Sequence, residues 1–192
     1  MPQIKHLQAR EILDSRGRPT VWARCELIGG AVAAVSVPSG ASTGAAEAWE
    51  LRDGDPARYC GLGCRRAVAN IEGEIQRAVV GRTLDEQREL DQILIALDGT
   101  PNKARLGANA ILAVSLAFAR ACAVEKQVPL YQHFADLLGQ PLRTLPRLTI
   151  NLFSGGKHAG GQAPIQDVLI VPAAAATIDE GMATMYAVYQ AA

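Results

Sequence analysis

The chain has 192 residues, of which 49% are hydrophobic and 20% are charged, and its 19 Lys and Arg residues balance 19 Asp and Glu residues. This composition is typical of a folded globular protein and excludes a disordered chain. Because the formal net charge is zero and no run of Lys or Arg forms a basic stripe, the sequence indicates no nucleic-acid partner.

The sequence also argues against membrane and disulfide-stabilised classes. The uncharged apolar run between Arg105 and Arg120 is shorter than the ~20 apolar residues that a membrane-spanning helix needs. No secretory leader is visible at the N-terminus, so a cytoplasmic location is predicted. The four cysteines are interpreted as small buried or half-buried hydrophobic residues. Cys60 and Cys64, one turn apart on a predicted helix, are the alternative candidate for a metal pair.

The first part of the chain has the alternating pattern of β-strands. Residues 4–13, 20–28 and 31–37 each predict a strand. A turn is predicted at residues 14–17, and Gly29 with Gly30 is a hairpin signal. The sequence therefore predicts a three-stranded antiparallel meander.

About four helices are expected after the meander. Asp55 and Pro56 supply an N-cap and a first-turn proline for a helix running to about residue 80. Thr83 and Glu86 form a capping box for a second helix. Residues 107–126 are apolar on nearly all sides, which predicts a buried central helix, and residues 129–138 predict a shorter one. These elements define a predicted α+β domain over residues 1–138.

A linker that contains prolines, residues 139–146, leads to a region with a different sequence pattern. Residues 147–192 predict a strand, a loop rich in glycine, a second strand and an alanine-rich helix. Two strands and one helix cannot cover both faces of a sheet. This region is therefore interpreted as the beginning of a larger domain.

Two glycine-rich loops carry the residues best suited to chemistry. Ser42 lies in the loop 39–44, where flanking glycines would let the loop act as a lid and the serine oxygens suit Mg²⁺. His158 lies in the loop 155–161, which follows a predicted strand and is not a P-loop. A plain connector and an ordinary loop histidine are the alternatives.

Two polar residues stand where the second of these loops leads into the next strand. Gln166 and Asp167 would serve equally well as a simple strand-end cap. Their interest lies in convergence, since a hydroxyl, an imidazole, an amide and a carboxylate would all lie on loops or strand ends.

Five longer motifs are more specific than these short patterns, because they are long and spread over nearly the whole chain. They are Asp14-Ser-Arg-Gly-Arg-Pro-Thr20, Val37-Pro-Ser-Gly-Ala-Ser-Thr-Gly44, Glu50-Leu-Arg-Asp-Gly-Asp55, Leu106-Gly-Ala-Asn-Ala-Ile-Leu-Ala-Val-Ser115 and Gly155-Gly-Lys-His-Ala159. In content and order they closely resemble the motifs of the enolase (phosphopyruvate hydratase) family.

The resemblance implies an N-terminal α+β domain followed by the start of an eight-stranded α/β (TIM-like) barrel. It implies a glycolytic lyase, a cytoplasmic homodimer in its complete form, which dehydrates 2-phosphoglycerate to phosphoenolpyruvate with Mg²⁺. Family members also occur at the cell surface or secreted. In the family, the lysine base, the acid glutamate and the carboxylates of the first metal site lie beyond Ala192, so the 192-residue chain alone is expected to be inactive.

The same resemblance assigns roles to four residues. Ser42 matches the lid serine that reaches the second Mg²⁺ and the substrate side of the site. His158 matches a substrate-binding histidine of the catalytic site, and Gln166 matches a glutamine at the rim of the substrate. Asp167 falls where the family usually has a catalytic-network glutamate, so its carboxylate is one methylene shorter.

Three further departures lie in contact regions. Ser154 stands where an asparagine is usual, Pro164 replaces a polar residue, and Trp22 occupies the place of a glutamate that pairs across the family dimer. Two hypotheses follow. The chain is either the N-terminal portion of a Mg²⁺-dependent lyase, or a non-catalytic enolase-like protein acting as a binding or oligomerisation module.

Overall fold

A computed structural model describes residues 1–40, 44–84, 86–156, 160–161 and 164–192. The chain divides into two compact units, Met1–Leu142 and Arg143–Ala192. The domain and linker boundaries drawn from the sequence stay a prediction.

The predicted meander is confirmed. It consists of β1 (Ile4–Leu13), β2 (Pro19–Leu27) and β3 (Val32–Ser36), which pair antiparallel in that order. The hairpin at the two glycines closes with a 3.0 Å hydrogen bond from the Gly30 amide to the Leu27 carbonyl. Gly30 has φ 88°, a backbone conformation that only glycine adopts without strain.

The predicted central helix is also confirmed, as α4 (Ala108–Glu125), and it packs against β2 and β3. It has the length and apolar composition of a membrane span, but 56% of it is buried inside the protein. Small residues such as Ala113 and Ala117 are fully buried and let α4 approach the sheet closely. The short helix α5 (Leu130–Leu138) follows, as the sequence predicts.

The helix predicted from Asp55 to about residue 80 is wrong in its first half. A single 3₁₀ turn, Tyr59–Gly61, precedes α1 (Arg65–Asn70), a π-helical turn (Ile71–Ile75) and α2 (Gln76–Val79). The backbone leaves the helical region at Cys60, with φ 52°. Asp55 caps only a local turn through the Ala57 amide, 3.0 Å away.

The true start of this helical segment is capped from a distance. The Asp53 carboxylate accepts hydrogen bonds from the amides of Arg65 and Arg66 at 3.0 and 2.9 Å. Cys60 and Cys64 therefore do not lie one turn apart on a helix, and Cys64 is buried beside α1. Burial raises the pKa of the Cys64 thiol to about 11, so this thiol is not a reactive thiolate at neutral pH.

The predicted capping box is wrong as well. Helix α3 (Gln87–Asp98) has Glu86 at its N-cap position, three residues after the predicted N-cap Thr83. The Thr83 hydroxyl instead accepts a 2.6 Å hydrogen bond from the Gln3 side chain, and the two residues form an isolated β-bridge. A long-range pairing thus takes the hydroxyl that local sequence would use as a cap.

The second unit contains β4 (Ile150–Ser154) and β5 (Asp167–Ile170), paired antiparallel, followed by α6 (Ile178–Ala191). This is the predicted order of strand, loop, strand and helix. Helix α6 begins with a complete capping box between Thr177 and Glu180. Large apolar side chains of the β4–β5 region remain exposed, among them Phe153 and Leu169 at 59% and 52%.

Candidate active site

The structure places two of the four predicted site residues. Gln166 and Asp167 lie at the beginning of β5 in the second unit. Ser42 and His158 lie outside the described residues. Each unit therefore contributes a separate candidate region: the β4–β5 pair in the second unit, and the residues on either side of the Ser42 segment in the first.

Asp167 is held by two polar neighbours on β4. Its Oδ1 atom accepts hydrogen bonds from the Ser154 hydroxyl at 2.6 Å and from the Asn151 side-chain amide at 3.1 Å. The same Asn151 amide donates to the Ser154 hydroxyl at 2.6 Å. These three side chains form a closed triangle, which we call the Asp167 triangle, and it fixes the orientation of an exposed carboxylate.

A strand irregularity makes the Asp167 triangle geometrically feasible. Ser154 lies directly opposite Asp167 in the β4–β5 register, and the register shifts between Asn151 and Phe153. Residues three apart on a regular strand point to opposite faces, whereas an extra residue returns them to the same face. The sequence does not predict a role for Asn151, because no local pattern indicates this irregularity.

Gln166 contributes through its backbone. Its carbonyl accepts a 2.6 Å hydrogen bond from the Gly155 amide, which continues the β4–β5 pairing into the loop. The Gly156 carbonyl then accepts a 2.7 Å hydrogen bond from the Gly161 amide. The described ends of the loop that carries His158 in sequence are thus joined to each other and to the start of β5.

In the first unit, a network of hydrogen bonds clamps Ser39, three residues before Ser42. The Ser39 hydroxyl accepts from the Arg52 guanidinium and donates to the Glu50 carboxylate, both at 3.1 Å. The guanidinium also donates to Glu50 at 2.7 Å, and Arg16 donates to the Ser39 carbonyl. On the other side of the segment, the Gly44 amide donates to the Glu47 carboxylate at 2.9 Å.

Arg52 ties this clamp to the rest of the unit. One guanidinium nitrogen donates to the carbonyls of Pro19 and Leu62 at 2.6 and 2.7 Å. The planar guanidinium therefore connects the beginning of β2, the loop before α1 and the hydrogen-bond network around Ser39, which we call the Ser39 clamp. Glu50 and Arg52 lie in one of the five sequence motifs, but the sequence alone predicts no role for them. Their separation by two residues does not by itself predict that their side chains interact.

The described residues do not by themselves make a metal site. Among them, no three His, Cys, Asp or Glu side chains are placed to share one ion. Asp167 is the one carboxylate of the Asp167 triangle, and its Oδ1 atom already accepts two hydrogen bonds. We therefore derive no catalytic step through a metal from this geometry.

The two units correspond to two protein-family models. Residues 4–134 match the family model described as "Enolase, N-terminal domain". Residues 142–192 match the model described as "Enolase, C-terminal TIM barrel domain". The first match alone covers more than half of the chain, and it confirms the resemblance seen in the five sequence motifs. The chain belongs to the enolase family.

Proposed function

We propose that this chain supplies the lid and part of the substrate site for the Mg²⁺-dependent dehydration of 2-phosphoglycerate to phosphoenolpyruvate. The observation that supports this proposal most directly is the Asp167 triangle, which presents an oriented carboxylate where the family has an acidic catalytic residue. An oriented carboxylate is suited to holding a proton or a water molecule near a reacting centre.

Each predicted site residue has a role in this proposal. Asp167 and His158 act at the reacting part of the substrate, and Gln166 contacts its rim. Ser42 would contact the substrate and one Mg²⁺. Bound Mg²⁺ would stabilise the negative charge that develops on the substrate carboxylate when the adjacent proton leaves.

The short side chain of Asp167 is the main argument against activity. A displacement of ~1 Å in a catalytic group can lower a rate by about a hundredfold. The contact with Ser154 bears on this point, because Ser154 is itself a departure from the family pattern. The 2.6 Å hydrogen bond between them gives the shortened carboxylate a partner that fits its position. This pairing favours a site that has kept its carboxylate in use.

The Ser39 clamp supports the role of a lid. A lid needs fixed ends, so that closure moves a short segment without disturbing the scaffold. Ser39 and Gly44 are both hydrogen-bonded to side chains of the following segment. These anchored neighbours on both sides support the lid role proposed for Ser42.

The experiment that tests the function is reconstitution. The 192-residue chain is assayed for phosphoenolpyruvate formation from 2-phosphoglycerate and Mg²⁺, alone and mixed with the C-terminal barrel fragment of an active enolase. We expect no turnover from the chain alone, because the family's base and the carboxylates of its first metal site are not among these residues. Turnover by the chain alone would overturn this expectation.

The mixture provides the decisive comparison. We expect turnover from the wild-type mixture and a loss of about a hundredfold or more with Asp167→Asn, which removes the charge and keeps the shape. Asp179→Asn, at an exposed carboxylate in the first turn of α6, is the matched control and should retain activity. A mixture that is folded and associated but inactive would refute the proposal.

A second candidate function is a non-catalytic binding or oligomerisation module. The exposed apolar side chains of the β4–β5 region favour it, because a surface of this kind is typical of interaction sites. Trp22, in the place of the dimer-pairing glutamate, is half-buried on β2 with the Arg10 guanidinium 5.8 Å from its ring. An inactive but tightly associating mixture would favour this candidate. Homodimer formation and a cytoplasmic location belong to the proposal on family grounds.

A further inference from the structure

The short helix α5 is anchored to the first unit by one large buried side chain, that of His133. Of the nine residues of α5, only His133 and Ala135 are buried. His133 is 2% exposed, whereas Tyr131 and Leu138 on the same helix are 66% and 74% exposed. Helix α5 packs against α4. The docking of α5 therefore depends on keeping the His133 imidazole out of water.

The buried ring has no polar partner. Among the described residues, neither ring nitrogen of His133 takes part in a hydrogen bond, and both nitrogens are shielded from solvent. A neutral imidazole in this position leaves one donor and one acceptor unpaired. An imidazolium would bury two unpaired N–H donors and a positive charge, which is far more costly. The docked helix therefore accommodates the neutral ring but not its protonated form.

The titratable groups around His133 do not compensate a proton on its ring. Those that line the cavity beside it are Glu86 at the N-cap of α3, Cys122 and Lys126 at the end of α4, and Asp136 on α5. None of these four side chains forms a hydrogen bond with the ring. Burial lowers the pKa of His133, the positive charge of Lys126 lowers it further, and Asp136 acts in the opposite direction. The Cys122 thiol is neutral, because burial raises its pKa to about 11.

We propose that α5 is an acid-sensitive element, which leaves α4 when His133 takes up a proton while the rest of the first unit stays folded. Release exposes the imidazole to water, where its pKa returns to about 6.5. The released form then binds a proton that the docked form does not, so acidification below pH 6.5 favours release. The equilibrium constant for release should rise about tenfold between pH 7.5 and pH 5.5. His6, the other described histidine, is exposed on β1 and gives the sheet no such sensitivity.

The test is hydrogen exchange of the wild-type chain at pH 7.5 and pH 5.5, measured by mass spectrometry and corrected for the intrinsic pH dependence of amide exchange. We expect the protection of the α5 amides to fall about tenfold between these two pH values. Peptides from the buried middle of α4, around Ala113 and Ala117, should keep their protection. A fall of less than about threefold in α5 would overturn the proposal. A parallel fall in α4 would also overturn it, because it would indicate general acid unfolding.

Two histidine variants complete the test. His133→Leu keeps a buried side chain and removes the ionisable ring, so the protection of α5 should be the same at both pH values. His6→Leu, the matched control at an exposed position, should keep the tenfold fall. If the fall persisted in a folded His133→Leu chain, another group would be responsible and the proposal would be wrong. If His133→Leu does not fold, the comparison of α5 with α4 in the wild-type chain decides the question.

Discussion

The loop between α3 and α4 depends on one buried carboxylate, Asp98, and its replacement should destabilise the first unit. Asp98 is the last residue of α3 and is 2% exposed. One carboxylate oxygen accepts a 2.7 Å hydrogen bond from the Leu106 amide. The other accepts from the Thr100 amide at 2.9 Å and from the Thr100 hydroxyl. The side chain thus ties both ends of the loop to α3.

The magnitude follows from the groups that would lose their acceptor. In Asp98→Ala, the Leu106 amide is left in a position that is 1% exposed, which costs about 1–3 kcal/mol. The Thr100 amide is half-buried and contributes a smaller loss because water can reach it. We expect Asp98→Ala to lower the free energy of unfolding by about 3 kcal/mol and the Tm by roughly 6–12 °C.

The assay is urea and thermal unfolding followed by circular dichroism. Glu125→Ala, at an exposed carboxylate near the end of α4, is the control and should change stability by less than about 0.5 kcal/mol. Asp98→Asn keeps the shape and one acceptor, and should fall between the two. If Asp98→Ala were no more destabilising than Glu125→Ala, the claim that the buried Leu106 amide needs the Asp98 carboxylate as its acceptor would be refuted.

The pH dependence gives an independent check. Burial acts to raise the pKa of Asp98, but the hydrogen bonds from Thr100 and Leu106 outweigh it and the pKa is lowered. Because the pKa of Asp98 is lower in the folded protein than in the unfolded chain, its charge stabilises the fold at pH values above the unfolded-state pKa, near 3.9. That stabilisation is lost as the pH falls through the lower, folded-state pKa. The stability difference between wild type and Asp98→Asn should therefore be constant near neutral pH and shrink as the pH falls below about 3.9. A difference that stays constant in this acid range would contradict the role of the charge.

Three other predictions concern single contacts. Gln76→Leu removes the acceptor of the Leu7 amide, 2.9 Å away on the edge of β1, and should cost about 1–3 kcal/mol in urea unfolding, whereas Gln76→Glu keeps an acceptor and should cost less. The Arg58 guanidinium, opposed by burial, lowers the pKa of Glu11, so wild type should lose more stability than Glu11→Gln as the pH falls below about 4.3 in acid unfolding titrations. In the reconstituted mixture, Ser154→Ala should lower turnover about fivefold, and it should cause no further loss when Asp167→Asn is already present.

The elements that sequence predicted well are those whose signals are local or strongly periodic. The meander follows from alternation and from two glycines at a tight turn, and α4 follows from an apolar run too long for a strand. The failures have one physical cause in common. The Thr83 hydroxyl pairs with Gln3, and Asp53 caps α1 across a loop. In both places a long-range partner replaced the local cap that the sequence predicted.

The candidate site follows the same division. Gln166 and Asp167 stand at the start of β5, where the strand pattern predicts them. Asn151 and Arg52 could not be found in this way, because their roles depend on a strand irregularity and on carbonyls far away in the chain. A side chain that positions another residue rarely belongs to a recognisable sequence pattern, because its hydrogen-bond partners are set by the tertiary fold.

The contact between Ser154 and Asp167 changes how the departures from the family pattern should be weighed. In the sequence alone, Ser154 and Asp167 read as two independent departures from the family pattern. In the structure they are directly opposite each other in the β4–β5 register and share a hydrogen bond. The two substitutions are therefore better understood as one physical change, a shorter acid with a hydroxyl that donates a hydrogen bond to it.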